Sequence, residues 1–279
     1  MRAAWERFWF ESQAPAQVRL FRSLVGVTLF GFHLALSFDL PLFYSDAGLL
    51  PLSVLKEVVP AHAGPSLLFW FQGAAFLWAC HVTFLASTLL LALGFAPRAA
   101  AIVAFVLHLS FLHRDPAAAY GADRIANFFL LYLCLMGSRT PSLQSVGYRL
   151  CQLQVCIVYG YSGLEKLKGA HWWRGEAIWD VLANAQLARY DFSFVAAVPL
   201  LIVGATYLTL LFEIYFPALV WVPRLRYPLL ALGVALHLGM ALALDIAFFA
   251  ALMIASYALF LDDGLSVRIE SRLPRPWRR

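Results

Sequence analysis

Long runs of apolar residues dominate this chain, and polar residues are concentrated in the shorter segments between the runs. A helix needs roughly 20 predominantly apolar residues to cross the hydrocarbon core of a bilayer, and several runs are near or beyond that length. The runs cover residues 20–38, 66–94, 98–113, 124–137, 148–165, 195–222, 227–244 and 246–261. The pattern predicts an all-α polytopic transmembrane bundle of about eight spanning helices. Counts of seven and nine stay open, because the last two runs are separated only around Asp245.

One of these runs predicts an unusually long helix, and two segments outside the runs predict amphipathic helices. The run at 66–94 is long enough for a single helix of roughly 44 Å, which must tilt or protrude from the bilayer. The N-terminal segment places Trp5, Phe8 and Trp9 on one face, which is typical of an interfacial amphipathic helix. A second amphipathic helix is predicted after the fifth run, lying at the interface or folding back over the bundle. Its apolar positions at helical spacing are Ile178, Val181, Leu182 and Ala185.

The composition supports a membrane protein and excludes an ordinary soluble domain. Apolar residues make up 62% of the 279 residues and charged residues only 13%, whereas soluble domains carry about 25% charged residues. The predicted partner is therefore the lipid bilayer. A net charge of +5 in such a chain reflects topology and does not indicate nucleic-acid binding. The four cysteines lie in apolar runs without CxxC spacing and are expected to be free thiols.

The distribution of Lys and Arg predicts the orientation. If every run spans, fourteen of these residues fall on the side of the N-terminus and seven on the other. Because cytoplasmic loops are enriched in Lys and Arg, both termini are predicted to be cytoplasmic. Lys166 then lies at the outer end of the fifth helix. The predicted organisation is a transmembrane domain over residues 1–265 and a short basic tail over 266–279.

The end of the fifth run carries the main candidate site. Tyr159, Ser162, Gly163 and Lys166 share one helix face, and the small Ser162 and Gly163 leave room for a ligand or for a close neighbouring helix. A lysine in a partly dry pocket loses affinity for its proton and can act as a base or nucleophile. The alternative is a structural lysine that snorkels to the interface or pairs with a glutamate. The two glutamates in question are Glu165 and Glu213.

The string "YGYSGLEKLKGAHWWRG" resembles a motif of the vitamin K-dependent γ-carboxylase superfamily, whose bacterial branches are called horizontally transferred transmembrane (HTTM) proteins. The similarity continues in "RLFRSLVG", "FYSDAGLLP", "GADRIANFFLLYLCLMGSRTPSL", "HLGMALAL" and "IAFFAALMIASYALFL". The resemblance implies that Lys166 is the base that deprotonates reduced vitamin K or another hydroquinone, in a lyase-like carboxylase and epoxidase reaction. It also implies a bacterial inner membrane. The predicted cofactor-binding residues are Tyr159, Ser162, Gly163, Trp172, His237 and Asp123.

The chain also departs from the carboxylase pattern. A second lysine of the carboxylase motif corresponds to Glu165, and an Asn-Asn-His element corresponds to Gly121, Ala122 and Asp123. The carboxylases also carry a large luminal domain that binds the protein substrate, which makes this chain similar to a bacterial short form. These differences weaken carboxylation of a protein glutamate, but they leave the fold prediction unchanged.

Other polar residues within the runs are candidates with a plain structural alternative. His237 and Glu213 are predicted to lie deep in the membrane, where each needs a polar partner. That partner is either a ligand or another residue that forms a structural hydrogen bond. Asp123 either contributes to a site or begins a helix, where the helix dipole favours a carboxylate. His108 and His113 lack the i, i+4 spacing of a metal pair, so no metal site is predicted.

Two functions remain in competition at this point, and a third is weaker. The first is an enzyme in which Lys166 deprotonates a hydroquinone inside a lateral apolar cavity, with Phe128, Tyr159 and Trp172 as wall residues. The second is a non-catalytic membrane component that binds quinone or lipid, or docks a periplasmic protein partner. A transporter is less favoured, because the sequence shows no inverted repeat and no pair of interrupted helices.

Overall fold

The computed structural model of the protein describes residues 2–11, 15–58 and 64–273. It is 79% helical, and the described residues form no strand, only an isolated antiparallel bridge between Ala188 and Leu244. The α-helices are α1 (Arg2–Phe10), α2 (Pro15–Leu36), α3 (Leu40–Tyr44), α4 (Leu52–Val58), α5 (Leu67–Trp70), α6 (Ala74–Leu93), α7 (Pro97–Arg114), α8 (Gly121–Met136), α9 (Pro141–Lys166), α10 (Ala170–Arg174), α11 (Ala177–Ala183), α12 (Pro199–Leu219), α13 (Pro223–Ala243), α14 (Ala247–Ser256) and α15 (Asp263–Arg272). Two 3₁₀ helices cover Ser193–Ala197 and Tyr257–Phe260.

Four of these helices are both long enough and apolar enough to cross a membrane, and they are α2, α6, α12 and α13. The predicted all-α membrane fold is therefore confirmed. The other predicted runs correspond to α7, α8, α9 and α14 with the 3₁₀ helix that follows it, which are shorter or more polar. A count of eight spanning helices stays a prediction.

The single long helix predicted over residues 66–94 is wrong. The chain breaks at Phe71–Gly73, so the run divides into the short α5 and the 20-residue α6. Gly73 immediately precedes the first residue of α6 and adopts a φ of +113°. Residues other than glycine rarely adopt this backbone conformation. At 1.5 Å per residue α6 is about 30 Å long, which matches the hydrocarbon core without protrusion.

The chain divides into two compact units. The first comprises residues 1–151 and 261–279. In it α6 packs against both α2 and α7, and α7 packs against α8. Its core contains Phe21, Phe84 and Phe129, all fully buried. The predicted N-terminal amphipathic helix is present as α1, with Trp5 and Trp9 in edge-to-face contact.

The second unit comprises residues 152–260. It contains α9 from Gln152 onward, the short helices α10 and α11, and the helices α12, α13 and α14. Here α12 packs against α11 and α13, and α13 packs against α14. The division into a domain over 1–265 and a tail over 266–279 stays a prediction. Residues 263–272 form α15, and the last part of the predicted tail lies outside the described residues.

Candidate functional site

The candidate residues of α9 belong to the second unit. The helix continues without interruption to Lys166, so Tyr159, Ser162 and Lys166 lie one above another along its axis. Gly163 has a different role from these three. A Cβ atom at this position would lie 2.9 Å from the side chain of Ile214 and 3.0 Å from its backbone nitrogen. The sequence left open whether Gly163 makes room for a ligand or for a close neighbouring helix. The structure shows a close neighbouring helix, α12.

Lys166 forms an ion pair across two helices. Its Nζ lies 2.7 Å from Oε2 of Glu213 on α12, and it donates a hydrogen bond of 2.6 Å to Oγ of Ser162. The side chains of Lys166 and Glu213 are 22% and 14% exposed, so the pair is largely shielded from solvent. Oε2 of Glu213 is buried and has no other partner among the described residues. Glu213 is therefore the glutamate that pairs with Lys166.

Glu165 pairs with a different lysine. Its carboxylate accepts a hydrogen bond of 2.6 Å from Nζ of Lys168, and both side chains are exposed. This hydrogen bond raises the pKa of the Lys168 amine. Lys168 lies beyond the last residue of α9 and takes no part in the pair described above.

Trp172 lies over the charged group of Lys166. The short helix α10 places the ring so that Nζ is 5.2 Å from the ring centroid, a distance at which a cation is attracted to an aromatic face. The neighbouring Trp173 is 60% exposed, and its Nε1–H donates to the backbone oxygen of Leu167. Of the two tryptophans in the motif, Trp172 is thus the one at the lysine.

A second polar group lies deeper along the same face of α9. The hydroxyl of Tyr159 is 2.6 Å from Nε2 of His237 on α13, and it also forms a hydrogen bond with the hydroxyl of Tyr257. All three side chains are buried. Nδ1 of His237 has no hydrogen-bond partner among the described residues. His237 therefore retains an unused nitrogen at the site, in addition to a structural hydrogen bond.

Residues of both polar groups line one cavity of about 450 Å³ within the second unit, although Tyr257 is not among its lining residues. A cavity of about 150 Å³ is enough to hold benzene, so this one has room for a larger aromatic ring. Most of the lining is apolar and comes from α11, α12, α13 and α14. Lining residues used below are Tyr159, Ser162, Lys166, Trp172, Leu182, Phe212, Glu213, His237, Gly239 and Phe249.

The segment after α9 folds back over the other helices of the unit and closes one side of this cavity. Ile178, Val181 and Leu182 of α11 are lining residues, as their helical spacing favours, whereas Ala185 lies beyond the end of the helix. The buried hydroxyl of Thr206 on α12 accepts a hydrogen bond from the backbone N–H of Ile178 and lies 3.1 Å from the backbone oxygen of Gly175. The segment is thereby attached to α12.

The remaining predicted site residue, Asp123, lies in the first unit. Its carboxylate accepts the backbone N–H of Tyr120 at 2.9 Å in a capping box at the start of α8. Asp123 also lines a different cavity of about 250 Å³, together with the buried His33 and His108. Its cofactor-binding role stays a prediction. Phe128 is also in the first unit and has an exposed side chain.

Sequence reasoning missed several residues of the site. Tyr257 contributes a hydroxyl from a 3₁₀ helix, and nothing in its apolar run signals that contact. Phe212 and Phe249 line the cavity, but nothing in the sequence distinguishes them from the many other aromatic residues in apolar runs. Thr206 is marked only by being polar within an apolar helix. No three His, Cys, Asp or Glu side chains in the described part of the chain are arranged to hold a metal ion.

The fold and this site define an integral membrane protein whose apolar cavity contains a lysine–glutamate pair. Residues 135–264 match the family model of the HTTM domain, a little under half of the chain, and every residue that lines the cavity falls within this segment. This match confirms the predicted resemblance to that family. No match was found among curated proteins or among solved structures.

Proposed function

We propose that the cavity of the second unit binds a lipid-soluble hydroquinone and that Lys166 serves as the base that accepts its proton. The observation that carries the proposal is the position of Lys166, Ser162 and Glu213 on the wall of a mostly apolar cavity. Ligand sites of this kind are largely apolar, with a few polar groups that fix the orientation of the ligand. A lipid-soluble ring with hydroxyl groups has matching chemistry.

The residues present fit such a cofactor. Trp172, Phe212 and Phe249 provide aromatic surfaces, and Lys166 and Ser162 provide polar contacts for a hydroxyl group. The unpaired Nδ1 of His237 is a further polar atom on the lining, because a neutral imidazole nitrogen either donates or accepts a hydrogen bond. When bound, a hydroquinone supplies an acidic hydroxyl group and two reducing electrons.

Lys166 must hold a free lone pair on Nζ in order to accept a proton. Glu213 lies 2.7 Å away and is placed to receive the proton that Lys166 gives up. The transfer of that proton leaves a neutral amine at Lys166 and a neutral acid at Glu213, so the amine can accept the proton of the hydroquinone. Ser162 then accepts or donates a hydrogen bond at Nζ and keeps the amine oriented.

A second candidate function is supported by the same ion pair. A lysine that is already paired with a glutamate is in the arrangement expected of a structural contact in a dry site. The protein would then bind quinone or lipid without turnover, or dock a periplasmic partner. The exposed aromatic side chains of Trp173, Tyr190 and Phe194, which follow α9, give such a partner an apolar surface.

The proposal places the protein in a bacterial inner membrane with both termini in the cytoplasm. The Lys and Arg distribution supports this orientation, since 21 such residues are divided unequally between the two predicted sides. The site then opens to the outer half of the bilayer, where a hydroquinone with a lipid tail enters from the membrane.

The test uses purified full-length protein in lipid nanodiscs and reduced vitamin K as the probe. Quenching of tryptophan fluorescence measures binding, and an oxygen electrode measures hydroquinone-dependent oxygen uptake. The variant is Lys166→Met, and the matched control is Lys168→Met. Since a general base contributes about 10²–10⁴-fold, the first variant should bind the probe but lose at least about 100-fold in uptake. The control should retain both.

The results separate the two candidates. Binding by the wild type without oxygen uptake supports the non-catalytic function and overturns the catalytic one. Uptake that survives in Lys166→Met shows that this lysine is not the base. A wild-type protein that does not bind the probe at all overturns the catalytic function and quinone binding, and it favours a component that binds lipid or docks a periplasmic partner.

A further inference from the structure

Arg22 is a buried cation of the first unit with unused hydrogen-bond donors. The residue is 5% exposed, and neither Nε nor Nη2 forms a hydrogen bond with any described residue. The neighbouring Arg19, one helical turn away on α2, takes the available carboxylate. It binds both oxygens of Glu270 on α15, with Nη2 at 2.7 Å from Oε2. Arg22 therefore keeps at least two N–H donors unused.

The side chain of Arg22 lines a cavity of about 300 Å³ that is separate from the candidate site above. Apolar residues of α2, α6 and α8 form much of its wall, including Val18, Leu91, Leu133 and Met136. The cavity also reaches the first turn of α9, where Gln144 and Ser145 are lining residues. The N-terminal end of a helix carries a partial positive charge, so this wall adds to the positive potential of Arg22.

Three other polar side chains line the cavity, those of Arg19, Gln144 and Ser145, and each already has a partner, which for Arg19 is Glu270. Nε2 of Gln144 donates to the backbone oxygen of Ser138 at 2.6 Å, and Oγ of Ser145 donates to the backbone oxygen of Glu11 at 3.2 Å. The unused donors thus belong to Arg22. Glu270 attracts the guanidinium of Arg22, but its two carboxylate oxygens are hydrogen-bonded to Arg19. A buried guanidinium with unused donors is unfavourable, so the folded protein gains stability from any anion that reaches it.

We propose that this cavity binds the phosphate group of an anionic phospholipid. The planar guanidinium matches the geometry of phosphate oxygens and forms two parallel hydrogen bonds with them. A phosphate group alone satisfies Arg22 but leaves the apolar wall uncovered. The glycerol and upper acyl carbons of a lipid cover Val18, Leu91 and Leu133, and this apolar contact favours the lipid over the free anion. Basic pockets between membrane helices are a recurrent type of headgroup site.

The experiment compares thermal unfolding of the full-length protein in nanodiscs of phosphatidylcholine alone and in discs that also contain phosphatidylglycerol. A ligand that binds only the folded state raises the melting temperature, and a shift of about 3 °C or more is expected for the wild type. Arg22→Met should abolish the shift. Arg139→Gln, which removes an exposed arginine of the same unit, should preserve it. In phosphatidylcholine alone, Arg22→Met should melt at or above the wild-type temperature, because the unpaired charge is gone.

A third arm identifies the source of the phosphate. Millimolar inorganic phosphate is added to the wild type in phosphatidylcholine discs, and a full shift under this condition overturns the lipid assignment in favour of a free anion. Equal wild-type melting temperatures in both kinds of disc overturn the proposal, as does a full shift in Arg22→Met.

Native mass spectrometry provides a readout that does not depend on a melting transition. The wild type released from the mixed discs should retain one phosphatidylglycerol more often than Arg22→Lys, which keeps the charge but loses the planar fork. Equal retention by the two proteins contradicts the proposed contact.

Discussion

Lys166 and Glu213 lie on different helices, α9 and α12, with Nζ and Oε2 2.7 Å apart. Gly163 explains how the two helices come this close, because its missing side chain leaves the backbone of α9 against Ile214, the residue after Glu213. The ion pair and the close helix contact are therefore one arrangement. Removal of either charged group changes the stability of the second unit as well as its chemistry.

The first prediction concerns the free energy of unfolding. If Lys166 serves as a base, the sequence leads us to expect that its loss leaves stability nearly intact. The structure changes this expectation, because Lys166→Met leaves the shielded Glu213 without a counter-charge. The free energy of unfolding should fall by about 2 kcal/mol, which lies between the loss expected for breaking an exposed ion pair and that for breaking a buried one. Glu213→Gln in the same chain should recover most of the loss. Denaturant unfolding in detergent measures Lys166→Met, Glu213→Gln and the double variant that carries both substitutions. If the loss in the double variant equals the sum of the two single losses, the pairing is contradicted.

The second prediction concerns the volume of the cavity. Gly239 lines it, and a Cβ atom added there meets no atom within 4 Å. Gly239→Leu should therefore fill part of the cavity and weaken binding of reduced vitamin K by at least about 10-fold, or about 1.4 kcal/mol. Gly204→Leu is the matched control, since a Cβ atom is equally free there and the residue is exposed on α12. Equal effects of the two variants on fluorescence quenching are incompatible with binding in this cavity.

The third prediction concerns the attachment of α10 and α11 to α12. Thr206→Val removes the hydroxyl that contacts Ile178 and Gly175, and it leaves the partly buried N–H of Ile178 without this acceptor. The expected loss of stability is about 1–3 kcal/mol. Limited proteolysis should then cut faster within residues 167–198 than in the wild type. The exposed Thr83→Val on α6 should show wild-type cleavage, and an unchanged rate in Thr206→Val refutes the attachment.

The fourth prediction concerns topology. Reporter fusions at residues 55, 118 and 185 should all report the outer side of the membrane if the Lys and Arg distribution sets the orientation. Paired fusions to an enzyme active only outside and to one active only inside measure this directly. A cytoplasmic signal at residue 118 contradicts the scheme, because α7 and α8 flank that position.

The shared face of Tyr159, Ser162 and Lys166 was predicted correctly, because a helix repeats every 3.6 residues and the apolar run fixes the helix. The break before α6 was not, since Gly73 lies inside a run whose apolar character continues on both sides. Hydropathy measures whether a segment prefers lipid to water. It does not detect a break in a helix that is caused by the backbone conformation of one residue. The HTTM resemblance was readable for the same reason, as it depends on the order of local motifs.

Local sequence thus determined the helical membrane fold, the amphipathic segments and the residues that share a face of α9, because each depends on neighbours along the chain. Tertiary structure decided which glutamate pairs with Lys166, which tryptophan covers it, and that Tyr159 contacts both His237 and Tyr257. It also decided that Arg19 is hydrogen-bonded to a carboxylate, whereas Nε and Nη2 of Arg22 are hydrogen-bonded to no described residue. Such choices depend on distances between residues far apart in the chain, and those distances are set by the packing of whole helices.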